Sequence, residues 1–504
     1  MFLGPEHGEV QSARSEPARR IDRRGFLEMA GAVAAGAVAP ALLGRARAHG
    51  NSIRGSTSAA LAALGRTTLR RPGSLPFPAW APGTDTLPGL DHIVVLMLEN
   101  HSFDNLLGML GRGDGLTLDA RGRPKATNPY PDGCLQHAFH MPTTCQLGSR
   151  PSQEWAASHN AYDNGANDGF VRTPISPATT EIVGGVAMGY WTGEDLPFTY
   201  SLASAFPIGD RWFSSLLGQT DPQRRYLIAA TSAGMTDDIG TSPFNGVQDS
   251  TLPLPAGGTT IFNQLDLHRI SWANYVHDYP GGATPELFPA NDAATEAARY
   301  KPFSQFFTDA AAGALPAFSL LDPDYSTQSQ ENPQNIAVGE GLLAQVVNAI
   351  GASPTWQRTM FVLVYDEHGG YYDHVAPPPA LPPDAIPPVV QPTESTYDGF
   401  ARYGFRVPAV VVSPYAKPHY VSHVLFDHTS ILAMLERKWN LPALTYRDAN
   451  ANDLTDFLDL KALARGRPTF PRLPRLASPG SSPAALACST TGPGTIPPPG
   501  SISC

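Results

Sequence analysis

Met360-Phe361-Val362-Leu363-Val364-Tyr365-Asp366-Glu367-His368-Gly369-Gly370 is the stretch that decides the fold. Its first six residues are apolar with no period-two alternation, as a central strand covered on both faces requires. Two carboxylates follow at once, then a glycine pair that permits sharp turning and close backbone approach. Similar apolar runs occur at 93–98, 318–321 and 407–412. Helical stretches intervene at 338–350 and 428–439, the second with Ile431, Leu432, Leu435 and Trp439 at helical spacing. Strands alternating with helices imply an α/β sandwich with a mostly parallel sheet. Ligands of such sheets bind beyond the carboxyl ends of strands. The run at 93–98 ends in Glu99-Asn100 and the run at 360–365 in Asp366-Glu367, so two polar corners are expected to converge on one hard cation.

Each corner has a bland reading beside the chemical one. In Glu99-Asn100-His101-Ser102-Phe103-Asp104 a carboxylate and a carboxamide oxygen suit a divalent metal. Equally, Asn100 can cap the next helix while Glu99 favours its dipole. A solvated turn explains less well why acidic residues follow the buried run at 360–365 so abruptly. Gly218-Gln219-Thr220-Asp221-Pro222-Gln223-Arg224-Arg225 offers a threonine hydroxyl, a weak nucleophile until a metal lowers its pKa. Arg224 adds a planar fork for phosphate or carboxylate oxygens. The segment also reads as a helix start with Pro222 in the first turn, and a helix N-terminus itself favours an anion. Further on, Arg406-Val407-Pro408 leads a strand. His428 is either a phosphate or metal contact or a helix N-terminal residue bonded to Asp427.

These four segments, in this order, resemble the bacterial phosphoesterase family that includes phospholipases C and certain acid phosphatases. The family pattern Glu-Asn-Arg-Ser-Phe-Asp is matched at 99–104, and Thr-x-Pro-Asn-Arg at 220–224. Asp-Glu-x-Gly-Gly-x-x-Asp-His-Val is matched at 366–375, and Arg-Val-Pro at 406–408. The family is similar to the alkaline-phosphatase-like superfamily, so the resemblance implies a three-layer α/β sandwich. It implies one divalent metal ion (calcium, magnesium, manganese or zinc) held by Glu99, Asn100, Thr220, Asp366 and Glu367. It further implies Thr220 as nucleophile, with Arg224 stabilising charge on the transferring phosphoryl group. Threonine at that position tilts the substrate toward phosphodiesters, and the expected activity is phospholipase C action on glycerophospholipids. The alternatives are an acid phosphatase-type phosphomonoesterase and a catalytically weak anion-binding protein.

The pattern also has departures. His101 replaces an arginine, Gln223 an asparagine, and Gln153 and Asn332 stand where relatives carry histidines. Two candidate acids for the leaving group are thus missing. His159, His368 and His374 are the substitutes available, and His368 and His374 enter the expected catalytic set. Trp155, Phe170, Tyr190-Trp191 and Trp212-Phe213 could form an apolar rim for transient contact with a membrane surface, or could be core.

A chain of 504 residues with 42% hydrophobic and 16% charged residues is globular in composition. A formal charge of −10 argues against nucleic acid as a partner. Arg23-Arg24-Gly25-Phe26-Leu27, the apolar stretch 29–43 and Ala46-Arg47-Ala48 resemble a twin-arginine export signal over 1–48, which predicts a periplasmic, cell-surface or secreted protein. A linker is expected over 49–86, the catalytic domain over 87–463 and a Pro/Ser/Gly-rich tail over 464–504, loosely packed or wrapped on the surface. Cys134, Cys145, Cys488 and Cys504 contain no CxxC pair, which makes a zinc cluster improbable. Bridges Cys134–Cys145 and Cys488–Cys504 are plausible in an oxidising compartment, but three connectivities stay open.

Overall fold

Eight strands form the central sheet: β1 His92–Leu98, β2 Ile208–Gly209, β3 Trp272–Val276, β4 Tyr300–Pro302, β5 Phe318–Asp322, β6 Thr359–Tyr365, β7 Ala409–Val412 and β8 Val421–Ser422. The computed structural model describes residues 57–146, 151–173, 184–238, 259–277, 298–325, 327–331, 334–390, 394–479 and 497–504. Strand order is β8-β2-β7-β6-β1-β5-β3-β4. All pairings are parallel except β6 with β7 and β7 with β2. The α/β fold with a mostly parallel sheet is therefore the observed one. Residues 93–98 of β1 and all of β6 are buried on both faces, which is why both runs lack alternation. Each such large apolar side chain contributes about 1.5–3 kcal/mol on leaving water.

Five helices matter for function: α1 Phe103–Leu107, α2 Trp155–Tyr162, α3 Thr220–Ala229, α4 Ile336–Ala352 and α5 Thr429–Trp439. The run expected at 407–412 begins as a strand only at Ala409, because Pro408 has no N–H to donate to a ladder.

Three expectations are revised. Residues 57–86 are packed chain, not a free linker: Gly83 N donates to Trp439 O at 2.9 Å, Thr86 N to Lys438 O at 2.8 Å and Phe77 N to Asn440 Oδ1 at 2.9 Å. These bonds satisfy backbone groups that a loose segment would leave to water. Cys134 is bonded to Cys504, which excludes both Cys134–Cys145 and Cys488–Cys504. Alongside that bridge the strand Ile502–Ser503 pairs antiparallel with Leu135–His137, so the described end of the tail wraps the surface. The aromatic rim is core: Trp155, Phe170, Trp191, Trp212 and Phe213 are buried, and Tyr190 alone of that set is partly exposed. The 1–48 signal lies outside the described residues. Among those described, no helix is long and apolar enough to cross a membrane.

Candidate active site

Register brings the two polar corners together. Leu98 of β1 lies level with Tyr365 of β6, so Glu99-Asn100 and Asp366-Glu367 leave adjacent parallel strands at the same height. Asp366 Oδ1 accepts the backbone N–H of Asn100 at 3.0 Å and of Glu367 at 2.7 Å, locking one corner onto the other. Asn100 makes its turn at φ +67°, a left-handed conformation that asparagine tolerates. Gly369 holds φ +64°, and a Cβ there would lie 2.0 Å from the Asn100 carbonyl oxygen. The glycine pair foreseen as a close-approach device therefore has its partner in the opposite corner.

The α3 helix adds the nucleophile candidate. Thr220 is its first residue, and its hydroxyl hydrogen-bonds the Asp366 carboxyl, favouring the ionised form. Two side chains bracket it. Asp238 Oδ1 accepts the N–H of Asp221 at 2.7 Å, while the N–H of Asp238 donates to Gln219 Oε1 at 3.0 Å. Gln223 fixes the approach, accepting from Ser215 N at 2.8 Å and donating to Leu216 O at 2.7 Å. One turn into the helix, Arg224 Nη2 donates to Glu99 Oε1 at 2.9 Å, and Nη1 lies 3.7 Å from Asp322 Oδ1. Its guanidinium sits 4.5 Å over the Tyr325 ring.

Charge at this centre is lopsided. Burial raises the pKa of Glu99, Asp366 and Glu367, with Arg224 opposing the shift for Glu99 and Asp366. Three buried carboxylates facing one guanidinium carry excess negative charge when ionised. Asn100 Oδ1, Asp366 Oδ2 and Glu367 Oε1 are buried and have no hydrogen-bond partner in the protein. Buried oxygens are left unpaired only at a cost, and a hard divalent cation would both pair them and balance the charge. The donor set fits such an ion.

The expected histidines divide. His368 Nδ1 is 3.1 Å from Glu367 Oε2, and burial holds this ring neutral with its pKa lowered to about 3. His428 Nε2 donates to the Asp366 carbonyl at 2.6 Å, a backbone support inside the centre, and its pKa is likewise lowered by burial to about 4. His374 belongs to another cluster. It bonds Asp104 Oδ2 at 2.7 Å and Asp114 Oδ1 at 3.2 Å. There the buried Arg406 reaches Asp373 Oδ1 at 2.8 Å and Asp104 Oδ1 at 3.1 Å. Ligand atoms of Asp104, Asp373 and His374 lie within 4.8 Å of one another. Arg406 already supplies their countercharge, so this cluster ties three of the four sequence segments together as a clamp. His159 is stacked 3.9 Å from Tyr397, its Nδ1 donating to Trp155 O at 2.7 Å. Gln153 is buried at the foot of the same helix, and Asn332 lies outside the described residues.

Asp322 and Asp238 belong to the centre and were missed. Asp322 ends β5 beside β1, so the strand-end rule applied one residue beyond Leu321 would have found it. Asp238 sits in a loop and carries no such signal.

The phosphoesterase family model matches residues 90–442. Phospholipase C B of Mycobacterium tuberculosis is 29% identical over 436 residues, covering 78% of this chain and 81% of that one. Non-specific phospholipase C3 of Arabidopsis thaliana is 30% identical over 417 residues, covering 76% of each. A solved structure of a Vibrio parahaemolyticus protein in the alkaline phosphatase superfamily aligns over 80% of this chain and 77% of its own, at 11% identity and a TM-score of 0.36.

Proposed function

Because the chain belongs to the phosphoesterase family and is a phosphoric ester hydrolase, we propose that it is a metal-dependent phospholipase C acting through Thr220. One observation carries the reading: Asn100, Asp366 and Glu367 each keep an unpaired buried oxygen, and the same Asp366 carboxyl meets the Thr220 hydroxyl at a helix N-terminus. Glu99, Asn100, Asp366 and Glu367, with the Thr220 oxygen, would hold a divalent cation of the calcium, magnesium, manganese or zinc kind. When bound, that ion lowers the hydroxyl pKa and offsets phosphoryl charge.

The protein's own groups do the rest. The Thr220 oxygen forms a bond to phosphorus as its proton passes to the Asp366 carboxylate beside it. The bond from phosphorus to the glycerol oxygen breaks, and diacylglycerol leaves carrying the proton that Asp366 took up. Water then attacks the phosphothreonine, releasing the phosphorylated head group and returning a proton to Thr220. The N-terminal dipole of α3 and Arg224, whose Nε has no partner, face the transferring charge. The Asp238–Gln219 bracket holds the start of α3, and with it the reacting oxygen, in place.

We also assign the protein to an exported location, in keeping with the twin-arginine sequence and the Cys134–Cys504 bridge, a bond that persists in oxidising compartments. The test is turnover of phosphatidylcholine and of p-nitrophenyl phosphate by wild type, Thr220→Ala and metal-depleted protein, with elemental analysis. Loss of about 10³-fold or more is expected for both perturbations. Near-normal turnover by Thr220→Ala would remove the nucleophile, and full activity without metal would remove the cation.

A further inference from the structure

Arg224 is divided between two carboxylates. Its Nη2 donates to Glu99 Oε1 at 2.9 Å, whereas its Nη1 stands 3.7 Å from Asp322 Oδ1, an ion pair without a hydrogen bond. Other donors fix Asp322. Asn274 Nδ2, in the middle of β3, reaches its Oδ2 at 3.0 Å, and the Tyr325 hydroxyl reaches its Oδ1 at 2.7 Å. Glu99, Arg224 and Asp322 are all buried, so water screens these charges little and their placement counts.

Tyr325 meets this arrangement at three points. Its ring lies 4.5 Å beneath the Arg224 guanidinium, and its hydroxyl holds Asp322. Its backbone carbonyl accepts the Ser329 hydroxyl at 2.9 Å, and the Ser329 carbonyl accepts the Glu99 N–H at 3.0 Å. The turn after β5 thus grips both ends of the Arg224–Glu99 pair. Desolvation, with the charges of Asp322 and Glu99, keeps the phenol protonated although Arg224 pulls the other way, so the hydroxyl stays a donor. A carboxylate held in this way draws Nη1 off Glu99. Without it, a planar guanidinium would close on both oxygens of Glu99, the forked geometry that arginine favours with a carboxylate. As built, its hydrogen bond to Glu99 goes to Oε1.

We propose that Tyr325 is a positioning residue of the reaction: by fixing Asp322 it holds Arg224 to one oxygen of Glu99 and keeps the other for the divalent cation. The proposal rests on the metal-dependent reading above. It is tested by calorimetric titration of metal-depleted protein with calcium, magnesium, manganese and zinc, one at a time. Turnover is followed beside it on phosphatidylcholine vesicles or p-nitrophenyl phosphate, whichever wild type hydrolyses faster. Tyr325→Phe keeps the ring and removes the hydroxyl, and Asp322→Asn removes the charge. Both should bind the wild type's tightest cation about tenfold more weakly, as when a metal ligand loses its outer partner. Their kcat should fall at limiting cation and recover at saturating cation, with KM unchanged. A role confined to packing would lower the unfolding temperature of the metal-free variants and leave cation affinity alone, and that result would overturn the proposal. So would a kcat deficit that saturating cation does not restore, or a weakened affinity in Asp322→Asn that Tyr325→Phe does not share. Should Asp322→Asn fail to fold, Tyr325→Phe decides alone. Wild type that binds none of the four cations would remove the metal-dependent reading itself, and this proposal with it.

Discussion

A methyl group at Gly369 would sit 2.0 Å from the carbonyl oxygen of Asn100, at a φ of +64° where a side chain is strained in any case. The neighbour that must yield is backbone, and its own side chain offers one of the three unpaired oxygens. Gly369→Ala should therefore cost at least about 2 kcal/mol of stability, read by urea unfolding, and should weaken divalent-metal binding in the folded protein. Unchanged metal affinity would show that Asn100 is not held by this contact. At this scale much was legible. Asp366 and Glu367 stand out because carboxylates directly after a buried apolar run have few structural uses, whereas Glu99 and Asn100 read equally as a helix start until the ordered motifs are taken together. His374 was assigned to the same place because it follows Asp373 within the motif, and a string of letters does not show that the chain turns away after Tyr371-Tyr372 toward Arg406.

At the scale of elements, the α3 N-terminus is held by contacts from the loop around 238, not by the helix alone. Asp238→Ala removes the acceptor of the Asp221 N–H and frees Thr220 to move. A lowered kcat, by about tenfold to a hundredfold, with little change in KM is expected, since misplacement of a reacting atom acts on the chemical step. Asp238→Asn keeps an acceptor oxygen and should recover most of the loss. Equal defects in the two variants would point to charge, not position. The long strands β1 and β6 were readable from apolar runs alone, and the start of the helix behind Thr220 from Pro222 in its first turn. β2, β4 and β8 were not: two or three residues supply no periodicity, and these strands exist because the sheet beside them offers unpaired backbone.

For the whole molecule, the Arg406 clamp sets a dependence on pH. Burial disfavours the charged form of His374, but the hydrogen bond and charge of Asp104, with the charge of Asp373, outweigh it and raise its pKa to about 9. The folded value exceeds the ordinary 6.5. The protonated ring therefore contributes stability in full below pH of about 6.5, and that contribution is lost as pH climbs through about 9. Thermal unfolding followed across this window should show a decline in wild type that His374→Gln lacks. A parallel decline in both would place the titrating group elsewhere. Domain boundaries were the least legible feature at this scale. Residues 57–86 are rich in Pro, Gly and Ser as a linker would be, yet such residues also serve where backbone alone does the packing, as Gly83 and Thr86 do against α5.

The bridge between Cys134 and Cys504 has a consequence for timing. Its two halves are 370 residues apart, so the second sulfur emerges from the ribosome only after every strand of the central sheet has been made. The segments of the sheet, the Thr220 bracket and the Arg406 clamp are all available to pair before the bridge can close. The covalent tie is the last long-range contact the chain can make. It acts on the finished enzyme, tethering the chain's last strand to the surface it covers.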